Sequence, residues 1–368
     1  MAKKYRVGVI GRTGKGNYGH GVDTAWLEIP ETEIVAVADE HTGGLAAAAK
    51  RTKAKNTYAD YRKMLEQEQL DIVAICPRWI DQHHEIILAC AEHGCHMYME
   101  KPFVPTLEQA DEIIRITEMK HLKLAIAHTS RYSPYTKSVK QLIAKGEIGD
   151  LLEFRARGKE DSRRGGGEDL WVLGTHMLDL MRDFAGDVAT CYSQVREKGR
   201  PVVAADVYPG NEGIGPLAAD SISAIYTFKN NLTGTFASHR GMSGQPTRFG
   251  LMIFGSKGII EMQSGYGKPA YILRDSSWSP GRTAKKWEPV PITDEDKKII
   301  ADHGSHGGNM AAIHDLISAI ENDALPNCSV YAARAATEMI VGVFESHRQG
   351  SNVPFPLKNR KNPLTLLK

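Results

Sequence analysis

The sequence predicts an α/β chain in two parts: a doubly wound domain with a parallel sheet over residues 1–127, then an α+β domain over residues 128–368 built on a mainly antiparallel sheet. Three observations carry this. Short apolar runs alternate with helical stretches through the first third of the chain, the pattern of a parallel sheet with right-handed crossovers. Those runs are apolar throughout, as expected of strands that helices cover on both faces. Beyond residue 150 the strands follow one another across short turns, which suggests antiparallel pairing. At 368 residues the chain is also long for a single core.

The elements read in order as follows. Tyr5–Ile10 (YRVGVI) is β-branched and apolar and runs straight into glycines, so it is a buried first strand. Residues 21–27 have helical character, and residues 33–38 (EIVAVA) form a second strand ending on Asp39. Residues 45–53 are Ala-rich, the strongest intrinsic helix former in the chain. Helical character returns over 60–68, and residues 71–76 (DIVAIC) form a buried strand stopped by Pro77. A helix over 84–93 is closed by Gly94. The strand His96–Met99, a helix over 106–120 and a strand over 123–127 complete the first part.

The pattern then changes. A helix over 135–145 ends at Gly146, a strand opens at Leu151, and a Gly- and charge-rich stretch covers 159–169. Residues 170–184 read as a helix or a loop plus a helix. Strands are expected over 222–228, 232–238, 248–254 and 258–262, joined by turns such as Lys229-Asn230-Asn231 and Ser256-Lys257-Gly258. Helices over 309–322 and 329–349 close the chain, the last capped by Ser329. Residues 202–220 and 274–286 are the least structured, as a lid or a surface excursion.

Composition narrows the function. Forty-six Lys plus Arg against 44 Asp plus Glu give a net charge of +2, which argues against a polybasic nucleic-acid binder. No run approaches the roughly 20 apolar residues that cross a bilayer, and the N-terminus lacks a signal-peptide pattern. Five Cys without framework spacing point to a reducing compartment. A cytoplasmic protein with no membrane partner is expected.

After the first strand comes Gly11-Arg12-Thr13-Gly14-Lys15-Gly16, continuing to Gly19 and Gly21. A dinucleotide site needs glycines for a tight turn, close backbone approach to the pyrophosphate and helix–sheet packing. Gly14-x-Gly16-x-x-Gly19 fits that pattern but begins three residues after the strand-to-turn junction at Gly11; the loop is lengthened or irregular. Asp39 lies 25 residues after Gly14. A carboxylate there bonds the adenosine ribose and repels a 2′-phosphate, favouring NAD over NADP.

The segment Asp71-Ile-Val-Ala-Ile-Cys-Pro77, then His83, Gly94 and Met97-Tyr-Met-Glu100-Lys101-Pro102 resembles the Gfo/Idh/MocA family of NAD(P)-dependent oxidoreductases. The second part is similar in layout: Arg131 and Tyr132, Gly146-Glu-Ile-Gly149, Gly165-Gly-Gly167, Gly174-Thr-His176 with Asp179, and Val353-Pro-Phe-Pro356. The resemblance implies a Rossmann domain joined to a large open sheet, NAD or NADP, a carbohydrate or polyol substrate, and a homodimer or homotetramer formed through the sheet. It places catalysis on Lys101 and His176. It also implies an Asp four residues before the histidine, where this chain has Val172. Glu168 or Asp169 could supply that carboxylate from a shifted loop, or could be charged loop surface.

Oxidising a secondary alcohol requires a base for the hydroxyl proton and a cation for the developing alkoxide. A lysine near a nicotinamide cation can serve either need, and an imidazole titrates near neutrality without tuning. His176 is therefore expected as general base and Lys101 as hydroxyl orienter and proton relay, with the roles exchangeable. Cofactor contacts are expected from Gly11, Arg12, Thr13, Gly14, Gly16, Asp39, Pro77, Trp79, His83, Glu100 and Lys101. Substrate contacts are expected from Arg131, Tyr132, Arg163, Arg164, Asp169 and Asp179. His303, His306 and His314 lack metal-site spacing, so no metal is expected; a loop carrying His303 or His306 to sugar hydroxyls is the alternative. The expected activity is an NAD-dependent sugar or polyol dehydrogenase. Two other readings stay open: an enzyme that retains NAD and uses transient oxidation for elimination, epimerisation or glycoside cleavage, and a non-catalytic nucleotide-binding sensor or structural protein.

Overall fold

The computed structural model describes residues 4–243 and 246–368. The chain forms two compact units. The first runs to His128 and takes in Glu212–Ile214 and His306–Arg334; the second comprises Thr129–Asn211, Gly215–Ser305 and Ala335–Lys368. The units are therefore not two consecutive stretches of sequence.

In the first unit, β1 (Tyr5–Ile10), β2 (Thr32–Ala38), β3 (Asn56–Tyr58), β4 (Ile72–Ile75), β5 (His96–Met99) and β6 (Leu124–Ile126) form a parallel sheet in the order β3-β2-β1-β4-β5-β6. The strands are buried because apolar side chains such as Val35, Val73, Ile75, Met97 and Met99 join one core with the helices. Helices α1 (Thr42–Thr52), α2 (Tyr61–Gln67), α3 (His83–Glu92) and α4 (Leu107–Met119) connect them. His41, Asp60 and Thr106 cap α1, α2 and α4 by accepting backbone N–H groups. Strand order reverses between β1 and β4, the switch point at which such sheets bind nucleotides beyond their C-terminal ends.

Two features differ from expectation. The short strand β3 was unforeseen. Residues 21–27 do not form an α-helix; only a 3₁₀ turn, Ala25–Glu28, follows the glycine loop. Gly19 and Gly21 lie at φ +66° and +82°, which a right-handed helix cannot accommodate.

The second unit begins with α5 (Pro134–Ala144), β7 (Leu151–Arg157), α6 (Gly167–Val172) and α7 (Gly174–Ala185). Then come β8 (Val188–Glu197), β9 (Arg200–Pro201), β10 (Tyr208–Pro209), β11 (Pro216–Leu217), β12 (Ser221–Phe228), β13 (Thr233–His239), β14 (Gly250–Gly255), β15 (Gly258–Gln263), β16 (Ala270–Leu273) and β17 (Glu288–Pro289). The short helix α8 (Pro280–Thr283) precedes β17, and α9 (Asp294–His303), α10 (His306–Glu321), α11 (Val330–Gln349) and β18 (Val353–Pro354) complete the chain. The large sheet has the order β17-β16-β15-β14-β7-β13-β12-β8-β18, with β9 added beside β8. Its pairs are antiparallel except β7 with β13. Burial alternates along β12 and β13, so one face packs on helices and the other is open. The strands β8 and β16 and the helix α9 went unforeseen. His303 and His306 are not on an open loop: they end α9 and start α10, around Gly304 at φ +54°. Among the described residues no helix is long and apolar enough to cross a membrane.

Candidate active site

The glycine loop is a closed turn. Arg12 and Asn17 exchange backbone hydrogen bonds at 3.1 and 2.9 Å, and Asn17 Oδ1 accepts the Gly14 N–H at 3.0 Å. Gly16, at φ +88°, presses on the turn after β4: a Cβ there would lie 2.3 Å from Arg78 N and 2.5 Å from Trp79 N. Gly14, at φ +85°, faces open space. Only the backbone conformation requires a glycine there.

Asp39, expected to read a ribose, is 2% exposed. Its carboxylate accepts the Thr13 N–H at 3.0 Å, the Thr13 hydroxyl at 2.6 Å and the His41 N–H at 2.9 Å. It ties the glycine loop to the start of α1, so its first role is to shape the loop. Arg12 is likewise buried and donates to both Asp81 oxygens at 2.8 Å. Beyond the ends of β1, β2 and β4 lies a cavity of about 230 Å³, lined by Gly11, Arg12, Asp39, Glu40, Pro77 and Gln82 among others. Its place at the switch point and its lining of carboxylates and loop backbone fit the adenosine end of a dinucleotide. Glu40, whose side chain is 60% exposed, also lines the cavity and lies 3.7 Å from Arg12.

At the end of β5 stand Glu100 and Lys101, both buried. Glu100 accepts the Lys101 N–H at 3.0 Å, and through its other oxygen the N–H of His20 at 2.8 Å. His20 Nδ1 lies 2.7 Å from that second oxygen. Burial raises the Glu100 pKa, but the His20 bond and the charges of His20 and Lys101 outweigh it and hold the carboxyl below its usual range. His83, expected at the cofactor, is fully buried. Its ring nitrogens lie 2.7 Å from the Pro77 carbonyl and 2.9 Å from those of Pro102 and Phe103. It fastens the turn after β4 to the segment after Lys101. Trp79 is half-buried beside Gly16.

In the second unit the triple glycine serves close packing. Cβ atoms at Gly165, Gly166 and Gly167 would fall within 2.1–2.4 Å of the backbone of Arg240, Ala219 and Ala218. Asp169, expected to touch substrate, is fully buried on α6. It accepts the Ser238 hydroxyl at 2.5 Å and the N–H groups of Glu160 and Lys159 at 2.9 and 3.2 Å. Burial raises its pKa against those bonds. It is a joint between α6, β13 and the chain after β7. Glu168 is buried too, not loop surface; it accepts Asn211 Nδ2 at 2.8 Å and pairs with Arg163 at 3.1 Å. Arg164 donates to Asp161 at 2.9 and 2.6 Å.

Arg131 and Asp179 also hold each other. Two bonds of 2.7 Å join the guanidinium to the carboxylate, and Asp183 accepts a third at 3.1 Å. This buried cluster fastens the turn Thr129–Tyr132 to α7. Tyr132 is half-buried on the same turn. His176 is half-buried in the first turn of α7, and Val172 is buried at the end of α6. Sequence reasoning missed His20, Asp81, Ser238 and Asn211. Only His20, inside the glycine loop, carried a local signal; the others act on partners far away in sequence.

Residues 5–128 match an oxidoreductase family described as having an NAD-binding Rossmann fold, and residues 140–355 match that family's C-terminal alpha/beta domain. The chain is 26% identical over 257 residues to levoglucosan dehydrogenase of Pseudarthrobacter phenanthrenivorans, covering 63% of this chain and 65% of that protein. It is 24% identical over 263 residues to myo-inositol 2-dehydrogenase of Thermotoga maritima, covering 69% and 74%. A solved levoglucosan dehydrogenase in complex with NADH and levoglucosan superposes with a TM-score of 0.77 at 20% identity, over 96% of this chain and 100% of that one.

Proposed function

Because the chain belongs to the Gfo/Idh/MocA family of NAD-binding oxidoreductases, we propose that it oxidises a secondary hydroxyl of a sugar, sugar derivative or cyclic polyol with NAD. The observation that carries this reading is the Glu100-Lys101 pair at the end of β5, in the same unit as the cavity beyond β1, β2 and β4. The sugar and polyol dehydrogenases among its relatives support the substrate class. NAD, when bound, supplies the hydride acceptor. Gly11, Arg12, Thr13, Gly14, Gly16, Asp39, Glu40 and Pro77 would hold its adenosine and phosphate end. Lys101, kept from water by burial, orients the substrate hydroxyl and stabilises the alkoxide. The hydroxyl proton goes to His176 as general base or to Lys101 as proton relay, roles that the two residues can exchange.

The test is a panel of sugars and cyclic polyols with NAD, read by NADH absorbance. Turnover on at least one, lost in Lys101→Met and His176→Ala while NAD binding persists, is the expected result. A panel without turnover in the wild-type protein sinks the reading.

One observation favours a retained cofactor. Glu212–Ile214 belongs to the first unit, where Gly213 packs so closely on Asp81 that a Cβ would lie 2.7 Å from the aspartate Cβ. Asp81 in turn grips Arg12 of the glycine loop. A strap held against that pair would slow dinucleotide exchange and suit a cycle of transient oxidation. Native mass spectrometry of the purified protein decides it: a mass increase of one NAD(H) supports retention, an empty protein an ordinary dehydrogenase.

The five cysteines are buried and unbridged, which supports a reducing, cytoplasmic setting. Self-association is proposed through the open face of the large sheet, where Tyr192 and Ile225 are paired across β8 and β12 and about half exposed. Ile225→Asp is expected to lower the mass seen by light scattering; a wild-type monomer rejects the proposal.

A further inference from the structure

We propose that His20, held by Glu100, is the acid–base residue through which the proton released by substrate oxidation passes to solvent. The inference rests on the dehydrogenase reading above. It begins with two partners of unequal exposure: the Glu100 side chain is 1% exposed, the His20 side chain 60%. An ionised carboxylate can only accept hydrogen bonds, so at 2.7 Å the His20 Nδ1 must carry the hydrogen. The lone pair of the neutral ring then sits on Nε2, which has no hydrogen-bond partner among the described residues. A carboxylate that fixes the tautomer while the other nitrogen stays available is the arrangement an acid–base imidazole needs. His83, by contrast, has carbonyl oxygens at both nitrogens and is fully buried, the pattern of a structural histidine.

The backbone is built to bring His20 to this place. Its carbonyl accepts Asn309 Nδ2 at 3.0 Å, and Asn309 Oδ1 accepts the Tyr98 hydroxyl at 2.7 Å. Gly19 is required beside it, because a Cβ would stand 2.4 Å from Glu100 Cγ, at φ +66°. Glu100, whose other oxygen holds the Lys101 N–H, is the charged group bonded to the ring, and His306 at the start of α10 lies against the neighbouring Gly21.

The proton balance needs such a residue. Oxidation of the alcohol breaks the C–H bond, whose electron pair leaves with the hydride. It also breaks the O–H bond, whose electron pair becomes the second carbon–oxygen bond of the ketone. One proton is left over. Lys101 is only 7% exposed, so a proton taken up there must be handed on. His20 Nε2 accepts it with its lone pair, and the exposed imidazolium loses it to water and returns to the Nδ1–H form.

The test uses the full-length protein with ¹⁵N-labelled histidine, together with His20→Asn and Glu100→Gln. Ring nitrogen spectra are expected to show His20 in the Nδ1–H form and to lose that preference in Glu100→Gln. A wild-type ring in the Nε2–H form overturns the proposal without any substrate being needed. On a substrate the wild-type protein oxidises, His20→Asn is expected to bind NAD as before and to turn over roughly 100-fold more slowly. Imidazole added to the buffer should restore part of the rate, which it would not do for a misplaced loop. Equal turnover, or a loss that imidazole leaves untouched, overturns the relay. A wild-type protein that oxidises nothing overturns the dehydrogenase reading instead, and the relay with it.

Discussion

Gly14 and Gly16 sit two residues apart at nearly the same positive φ, yet only Gly16 has backbone in the path of a side chain. Gly14→Ala should therefore cost about 1 kcal/mol of backbone strain and leave NAD binding close to normal. Gly16→Ala must displace the turn at Arg78 and Trp79, and should weaken NAD binding by about tenfold or more, or about 1.4 kcal/mol. Calorimetric titration of the two variants checks the contrast. Glu100 adds a pH signature. Its folded pKa lies below the ordinary value of 4.5, so the stability it contributes is complete above pH 4.5 and is lost as pH falls through the folded value. Glu100→Gln should flatten that part of the acid limb of stability in denaturant titrations. The Glu-Lys-Pro run and the glycine loop were legible because each is a local pattern. The role of Asp39 was not, because its oxygens are taken by Thr13 and His41, and no spacing rule separates a carboxylate that reads a ribose from one that holds a loop.

At the scale of elements, the buried cluster of Arg131 with Asp179 and Asp183 ties the turn after β6 to α7. Removing one partner leaves a buried charge without its counter-ion, so Asp179→Ala should destabilise by about 3–5 kcal/mol. Replacing both, as in Arg131→Met with Asp179→Leu, should recover most of that loss in urea unfolding. The sequence reading expects both as substrate contacts, because they stand 48 residues apart and nothing local to either signals the pair. The parallel strands were legible because continuous apolar runs between glycines and prolines leave little choice. The strand β8 was not, because its half-buried alternation, with Tyr192, Gln194 and Arg196 facing out, dilutes the apolar signal. The absent helix after the glycine loop has a similar cause: Val22 to Leu27 has helical composition, but two glycines at positive φ set the path before it.

For the whole molecule, the partition matters more than any single element. Beyond β6 the first unit is completed by residues 306–334, where Ile126 N–H donates to the Cys328 carbonyl at 2.9 Å and Ala125 pairs with Ser329. A fragment of residues 1–128 should therefore expose the edge of β6 and apolar surface that α10 and the start of α11 cover. It is expected to bind a hydrophobic dye and aggregate, whereas a fusion that restores residues 306–334 through a flexible linker should be soluble and bind NAD. Gel filtration and dye fluorescence distinguish the two. A boundary at residue 127 was a natural reading of the pattern change there. The return of the chain was invisible because the helices that make it look like any others.

The same return has a consequence for how the protein is made. During synthesis the β-sheet of the first unit leaves the ribosome early, but its last edge partner follows only after roughly 200 more residues, on the order of 10–40 s later at ordinary elongation rates. Through that interval the nascent sheet has an unpaired edge and an incomplete apolar layer. Assembly of the nucleotide-binding unit is thus deferred to nearly the end of translation, and a chain released early leaves an aggregation-prone sheet instead of a working half-enzyme.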